Sequence, residues 1–237
     1  MISTERASSF EQRQRVLLFR VTLTLFLLGF GFLTYLVRSM PSFAIDFKVT
    51  QAIQMIHHPV FDFLMKAVSW PGFWPQAIII SLGISMLLHF MGLRWEGRMV
   101  LIAHLFSSGV NLLIKNLIQR PRPSTTLVTV VTALTSYSFP SGHVMFYLGV
   151  FGFVGFLIFS LPKPSLKRSL LLFLFGAPVI LIGASRIYLG AHWASDVLGA
   201  YLLGGLVLSA IIQLYLWGRA RFFLHPPTTP ANGFPTS

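Results

Sequence analysis

The chain has 237 residues, of which 54% are hydrophobic and only 10% are charged. Soluble domains carry about 25% charged residues, so this composition excludes an ordinary soluble domain and indicates a membrane protein. The 18 basic residues outnumber 6 acidic ones, but they lie in short clusters between apolar segments, which is the pattern of membrane topology rather than of nucleic-acid binding.

The first part of the chain predicts a polar terminus, a membrane span and an interfacial segment. Residues 1–15 are polar and are expected to form a mobile cytoplasmic N-terminus. Residues 16–37 are apolar over more than the roughly 7–15 residues of a secretory signal, so we expect an uncleaved spanning helix. Between residues 38 and 73, apolar residues recur at roughly helical spacing with polar ones between them. This pattern predicts one or two amphipathic helices at the membrane interface, broken near His58.

Five further apolar segments predict five further spans, at residues 74–93, 100–118, 144–161, 170–189 and 197–217. The third span carries a polar stripe that includes His104, Asn111 and Lys115. His104 lies about 16 Å along the helix from Lys115, so we expect it to form a hydrogen bond between helices, whereas Lys115 and Asn111 lie near the helix end. Glycines crowd the last three spans and predict tight packing among them.

The predicted fold class is therefore all-α: a polytopic membrane helix bundle with six transmembrane helices plus an amphipathic interfacial segment between helices one and two. The single membrane domain is assigned to residues 16–221. Residues 222–237, which contain four prolines, are expected to form a disordered tail.

The basic residues also predict an orientation. Eleven lie on the side of both termini, and seven lie on the other side, four of them in or beside the candidate site. The positive-inside rule then places both termini in the cytoplasm. The connections that carry residues 115–143 and 186–196 both emerge on the extracytoplasmic side, so they are able to build one site.

Two of these polar segments predict an anion site. Pro140-Ser141-Gly142-His143 resembles a helix start, with serine at the N-cap and glycine permitting close backbone approach. Exposed amides at a helix start favour anions. The cations of Lys115, Arg122 and Arg186 suit a phosphoryl group that gains charge during transfer. The six scattered carboxylates do not form the acidic cluster of a two-metal phosphatase, and the absence of cysteine excludes thiolate ligands.

The segment at residues 185–196 predicts a nucleophile. Asp196 follows His192 by one helical turn, so its carboxylate is expected to accept from one ring nitrogen and leave the other free to attack. His143 is the candidate acid. The alternative is an interfacial loop in which Arg186 extends to the membrane surface and Asp196 caps a helix.

These residues resemble the signature of the type 2 phosphatidic-acid phosphatase family, which is K-x6-R-P, then P-S-G-H, then S-R-x5-H-x3-D. Lys115 with Arg122-Pro123 matches the first motif, Pro140 to His143 matches the second, and the third is matched by Ser185, Arg186, His192 and Asp196. Soluble vanadium haloperoxidases share this signature, but the six predicted spans argue against them.

The resemblance implies an integral-membrane lipid phosphatase that uses no metal or other cofactor. His192 would attack phosphorus to give a phosphohistidine, Asp196 would orient it, and His143 would protonate the leaving alkoxide and then activate water. The phosphate oxygens would be held by Lys115, Arg122, Ser141, Gly142 and Arg186. Arg120 lies outside the signature and is expected to contact solvent or a lipid headgroup.

The sequence leaves the substrate open among undecaprenyl pyrophosphate, phosphatidylglycerol phosphate and phosphatidate. It also leaves open a phosphotransferase that passes the phosphoryl group to a lipid or sugar acceptor. A non-catalytic transporter or scaffold is the alternative from another class. The location is expected to be the bacterial plasma membrane.

Overall fold

The structure is a computed structural model that describes residues 2–40, 42–132 and 134–223, and this part of the chain contains helices and loops but no β-strand. Within these ranges the α-helices are α1 (Ile2–Ser39), α2 (Ala44–Gln54), α3 (Pro59–Ser69), α4 (Trp74–Phe90), α5 (Arg94–Ile118), α6 (Gly142–Phe146), α7 (Phe153–Phe159), α8 (Leu166–Tyr188) and α9 (Ala194–Phe223). A π-helical segment, Tyr147–Gly152, joins α6 to α7 without a break. The all-α prediction is confirmed.

In the described part of the chain, five helical segments are long and apolar enough to cross a membrane, namely Glu11–Ser39, Arg94–Ile118, Gly142–Phe159, Leu166–Tyr188 and Ala194–Phe222. The predicted second span corresponds to α4, which has 17 residues. A short 3-10 turn, Trp70–Gly72, joins it to α3 with a bend of 67°. If α3 and α4 are counted as one bent unit, the number of candidate spans is six. The protein is therefore an integral membrane helix bundle.

The segment between the first two spans contains two helices, α2 and α3, as predicted. The break between them is near His58, as predicted. His58 is the N-cap of α3, and its Nδ1 accepts a hydrogen bond from the backbone N–H of Val60 at 3.2 Å. Pro59 occupies the first helical position, where its missing N–H is harmless. The interfacial location of these helices stays a prediction.

The ends of the chain differ in part from the predicted boundaries. α1 begins at Ile2 and so includes most of the expected N-terminal segment, whose mobility stays a prediction. α9 continues to Phe223, so the predicted tail begins at least two residues later. Residues 224–237 lie outside the described residues.

Close contacts at glycines join the last three spans. A Cβ on Gly204 would lie 2.6 Å from Leu148, and one on Gly183 would lie 2.9 Å from the Tyr201 ring, so α9 packs tightly on both neighbouring spans. Two of the expected glycines, Gly155 and Gly176, face open space instead. His104 Nδ1 lies 3.0 Å from Ser81 Oγ, which confirms the expected hydrogen bond between spans.

The helix directions bring four helix ends together. The last turn of α5, the start of α6, the end of α8 and the start of α9 meet at one end of the bundle, where Ser138 Oγ and Ser141 N bond to Asp196. At the other end, Trp95 of α5 packs against Gly218 and Phe222 of α9. The three motif segments are therefore neighbours in space.

Candidate active site

The His192 side chain is held by a guanidinium. Arg122 NH1 lies 3.2 Å from His192 Nε2 and donates to the Ala191 carbonyl at 2.5 Å. Because a guanidinium only donates hydrogen bonds, Nε2 acts as the acceptor and carries a lone pair. The ring proton then lies on Nδ1. This tautomer leaves the lone pair of the neutral ring on Nε2.

The rest of Arg122 is bound to the loop before the second motif. Its Nε donates to Ser136 O at 2.6 Å, and its NH2 donates to Ser136 Oγ at 3.0 Å and to Tyr137 O at 3.2 Å. Five hydrogen bonds thus fix the guanidinium beside His192. A phosphate oxygen would have to replace at least one of them to bind Arg122.

Asp196 lies beside the other ring nitrogen, but it does not hydrogen-bond to it. Its Oδ2 is 3.7 Å from His192 Nδ1 and accepts from Ser138 Oγ at 2.5 Å and from Trp193 N at 2.9 Å. The predicted hydrogen bond from His192 Nδ1 to Asp196 is therefore not formed, because these two donors already occupy Oδ2. A shift of about 0.5 Å would bring Nδ1 within hydrogen-bond distance, and such contacts are often long in structures without substrate.

Two left-handed residues turn the chain into the site. Gln119 has φ 55° and ends α5, and its N–H donates to the Lys115 carbonyl at 2.9 Å. Gly190 has φ 64° and ends α8, so that the N–H of His192 returns to the Arg186 carbonyl at 3.3 Å. A Cβ on Gly190 would lie 2.1 Å from Thr129 O, so glycine is required here for two reasons.

The second motif starts a helix as predicted, with Ser141 at the N-cap of α6. Its hydroxyl is buried and, contrary to an ordinary cap, makes no hydrogen bond to any described residue. Asn111 of α5 holds the turn: its Nδ2 donates to Pro140 O at 3.1 Å. A Cβ on Gly142 would lie 3.1 Å from Asn111 Oδ1, so glycine permits this close approach.

His143 is packed from the side of the bent junction between α3 and α4. The Phe73 ring lies edge-on to the imidazole with 5.0 Å between centroids. A Cβ on Gly72 would lie only 2.4 Å from His143 Cδ2. The imidazole Nε2 is buried and has no hydrogen-bond partner in the described part of the chain. The junction thus orients His143 and leaves its nitrogen available.

Arg186 is fully buried behind His143. Its NH1 donates to Ser69 Oγ, and its Cζ lies 5.8 Å from the Phe73 ring centroid. Its Nε and NH2 have no hydrogen-bond partner among the residues that the structure describes. The preceding Ser185 donates to Met65 O at 2.6 Å and attaches α8 to α3. Uncompensated buried N–H groups on a cation favour an anionic ligand.

Lys115 points from α5 to the same place, where its Nζ donates to the Tyr137 carbonyl and, at 3.4 Å, to the Ser138 carbonyl. Burial lowers the pKa of the His192 imidazole well below its usual value, and the cations of Arg122, Lys115 and Arg186 lower it further. Burial also lowers the pKa of Arg122 to about 10, while Asp196 opposes that shift. His192 is therefore neutral and Arg122 is charged near pH 7.

Arg120 contradicts the prediction of a solvent or headgroup contact. It is 2% exposed and bridges two buried carboxylates: NH2 donates to Asp46 at 2.8 Å, and NH1 donates to Asp196 at 2.6 Å. The reason is the left-handed turn at Gln119, which directs the next residue into the protein. A buried guanidinium requires anionic partners, and these two carboxylates supply them.

Sequence reasoning missed the residues that support the motifs from outside them, which are Asp46, Ser69, Gly72, Ser138 and Ser195. A weak signal existed for Asp46, because a chain with six carboxylates has few partners for a buried arginine. No group of three or more His, Cys, Asp or Glu side chains that could hold a metal ion occurs within residues 2–40, 42–132 and 134–223.

A cavity of about 890 Å³ begins at the site and continues between α4 and α5. Its polar end is lined by Lys115, Arg122, Gly142, His143 and His192, whereas Ser141, Arg186 and Asp196 do not line it. Leu101, near the other end, lies 14 residues before Lys115 on α5, which corresponds to about 21 Å along the helix. Leu82 and Leu105 line the cavity and are also 53% and 69% exposed on the bundle surface.

Comparisons with known proteins agree with this arrangement. Residues 96–220, more than half of the chain, match the model of the PAP2 superfamily. The chain is 30% identical over 164 residues to phosphatidylglycerophosphatase B of Bacillus subtilis (strain 168), a match that covers 67% of this chain and 77% of that protein. It is 36% identical over 113 residues to dolichyldiphosphatase 1 of Homo sapiens, which covers 44% of this chain and 46% of that relative.

Solved structures give the same result. The crystal structure of a transmembrane PAP2-type phosphatidylglycerolphosphate phosphatase from Bacillus subtilis superimposes with a TM-score of 0.70 at 26% identity, and the match covers 81% of this chain and 95% of that one. LpxE from Aquifex aeolicus shares the fold with a TM-score of 0.59 at 22% identity over 73% of this chain and 98% of its own. The family-model match and the Bacillus subtilis relative show that the chain belongs to the PAP2 superfamily, the type 2 phosphatidic acid phosphatases.

Proposed function

We propose that this protein is a lipid phosphatase that hydrolyses a lipid phosphomonoester or pyrophosphate through a phosphohistidine on His192. The observation that carries the proposal is the hydrogen bond from Arg122 to His192 Nε2, which requires a lone pair on that nitrogen. The burial of the ring among three cations keeps it neutral and ready to attack. The same cations are suited to the charge on a phosphoryl group.

The first step is attack of His192 Nε2 on phosphorus. A P–N bond forms and the P–O bond to the leaving group breaks, while His143 gives a proton to the leaving oxygen. The leaving group is an alcohol from a monoester or a lipid monophosphate from a pyrophosphate. The imidazole ring gains positive charge in this step, and the Asp196 carboxylate, 3.7 Å from Nδ1, stabilises it.

The second step regenerates the enzyme. His143 now accepts a proton from water as the water oxygen attacks phosphorus, the P–N bond breaks, and inorganic phosphate leaves. Lys115, Arg122 and Arg186 neutralise the phosphoryl oxygens in both steps, together with the Ser141 hydroxyl and the Gly142 backbone. These groups replace the charge stabilisation that a metal would supply, so we propose that the reaction is metal-independent.

The shape of the cavity supports a lipid substrate. A groove of about 21 Å along α5 is close to two thirds of the ~30 Å hydrocarbon thickness of a bilayer, and it is lined largely by apolar side chains. A phosphate at the polar end would place an acyl or polyprenyl chain in this groove. Phosphatidylglycerol phosphate, phosphatidate and undecaprenyl pyrophosphate all fit this description.

We also propose that the site faces the extracytoplasmic side, with both termini in the cytoplasm. The basic residues outside the site support this orientation, because Arg94, Arg98, Arg219 and Arg221 lie at the helix ends opposite to the site.

The test is release of phosphate from a panel of the three lipids by the purified protein in detergent, with and without EDTA. We expect release that survives EDTA and is absent in His192→Ala. No release from any phosphorylated lipid, or loss on chelation that magnesium restores, would contradict the proposal.

A further inference from the structure

A buried charge network connects the site to α2. Asp46 lies in the first turn of α2, and Arg120 and Asp196 belong to other segments of the chain, yet all three are essentially inaccessible. Arg120 donates to Asp46 at 2.8 Å through one guanidinium nitrogen and to Asp196 at 2.6 Å through the other. One cation therefore serves two carboxylates.

Ser195 completes the network. Its hydroxyl lies 2.8 Å from both carboxylate oxygens of Asp46, its backbone N–H donates to Asp46 at 2.8 Å, and Arg120 NH1 lies 2.7 Å from its Oγ. Asp46 is thus held by several donors rather than by a single ion pair. Asp46 lies outside residues 96–220, the part of the chain that matches the family model, whereas Arg120 and Asp196 lie inside it.

We infer that Asp46 is a positioning residue for the reaction, which acts through Arg120 on Asp196. This inference rests on the proposed function. The formal charges of Arg120, Asp46 and Asp196 add to −1, and this remaining charge is available to the His192 ring when it becomes positive during attack on phosphorus. If Asp46 were neutral, the formal charges of Arg120, Asp46 and Asp196 would add to zero, and the ring would lose electrostatic stabilisation.

The effect should fall on the chemical step rather than on substrate binding. Asp46 bonds to Arg120 and Ser195, neither of which is a proposed phosphate-binding residue, so a neutral side chain there leaves the phosphate contacts unchanged. Loss of the catalytic aspartate in a serine protease slows turnover about 10⁴-fold, and a residue that acts through a second partner has a smaller effect. For Asp46→Asn we expect phosphoenzyme formation to slow by about 10- to 100-fold, with the half-saturating substrate concentration unchanged.

Asp62→Asn is the matched control. Asp62 lies on the neighbouring α3 and accepts a hydrogen bond from the Tyr188 hydroxyl, so it also attaches a helix of the same segment to α8. The substitution is chemically the same, but Asp62 makes no contact with Arg120 or Asp196. If Asp46 acted only by attaching this segment to the rest of the bundle, both variants would lose activity.

The experiment is acid-quenched single-turnover labelling with a phosphorus-32 phosphatidate in detergent, over a range of lipid concentrations, on monodisperse full-length protein. We expect slow labelling at every concentration in Asp46→Asn and wild-type rates in Asp62→Asn. Ser195→Ala removes only a hydroxyl, so it is the second variant if Asp46→Asn does not fold; its expected loss is about 2- to 10-fold.

Equal labelling rates in the wild type and Asp46→Asn would overturn this inference alone. So would a raised half-saturating concentration with an unchanged maximal rate, or equal losses in Asp46→Asn and Asp62→Asn. If Asp46→Asn does not fold, a wild-type rate in Ser195→Ala overturns it. Absence of label on the wild type with phosphatidate and with each of the other two candidate lipids would overturn the proposed function and this inference together.

Discussion

A methyl group on Gly72 should displace the proposed acid. The Cβ of Gly72→Ala would lie 2.4 Å from His143 Cδ2, and ordinary contact begins at 3.4 Å, so the imidazole or the turn has to move by about 1 Å. Misplacement of a catalytic group by 1 Å can cost about 10²-fold in rate. Gly72 is not in the left-handed region, so its backbone tolerates alanine, and the expected effect comes from the contact with His143.

Turnover of a lipid phosphate by Gly72→Ala should therefore fall by up to about 100-fold. The loss should be smaller with nitrophenyl phosphate, because its leaving group needs no proton from His143. The matched control is Gly83→Ala in α4, where a Cβ has no neighbour within 4 Å. Equal activity in the two variants, or the same loss with both substrates, would refute the assignment of His143 as the acid oriented by this turn.

Three further predictions concern pH, stability and topology. Because burial and nearby cations lower the pKa of His192 well below 6.5, the ring keeps its lone pair as the pH falls. The rate at which nitrophenyl phosphate labels the enzyme should therefore stay constant down to pH 6.5 and decline only below it. A midpoint above pH 6.5 would contradict this prediction. Arg120→Met removes the cation that pairs with two buried carboxylates, so it should lower the free energy of unfolding by about 3–5 kcal/mol. Its thermal midpoint in detergent should be lower than that of Arg98→Met, a control substitution at an exposed arginine. A reporter fused after Arg221 should be cytoplasmic and one inserted near Thr126 extracytoplasmic; the same side for both would refute the orientation.

The helices and the motif residues were accessible to sequence reasoning because their signals are local. Apolar length predicts spans, and the spacing of His192 and Asp196 predicts that the two side chains are neighbours. The predicted shared helical face is wrong, because His192 lies in the turn before α9 and its Nδ1 is 3.7 Å from Asp196. The distance along α5 between His104 and Lys115 also predicted that His104 lies outside the site. The hydrogen bond between His104 and Ser81 agrees with that prediction.

The supporting residues were not accessible because they depend on contacts between distant segments. Asp46 and Arg120 are 74 residues apart, and only the left-handed turn at Gln119 decides that Arg120 points inward. Gly72 likewise meets His143 because of the bend between α3 and α4. No periodicity or spacing in the sequence encodes either turn.

The most direct test of the central claim is the identity of the residue that carries the phosphoryl group. Acid-quenched labelling with a phosphorus-32 lipid phosphate should give an acid-labile, base-stable label on the wild type and none on His192→Ala. A label that persists in His192→Ala but disappears in His143→Ala would contradict the account and reverse the two histidines.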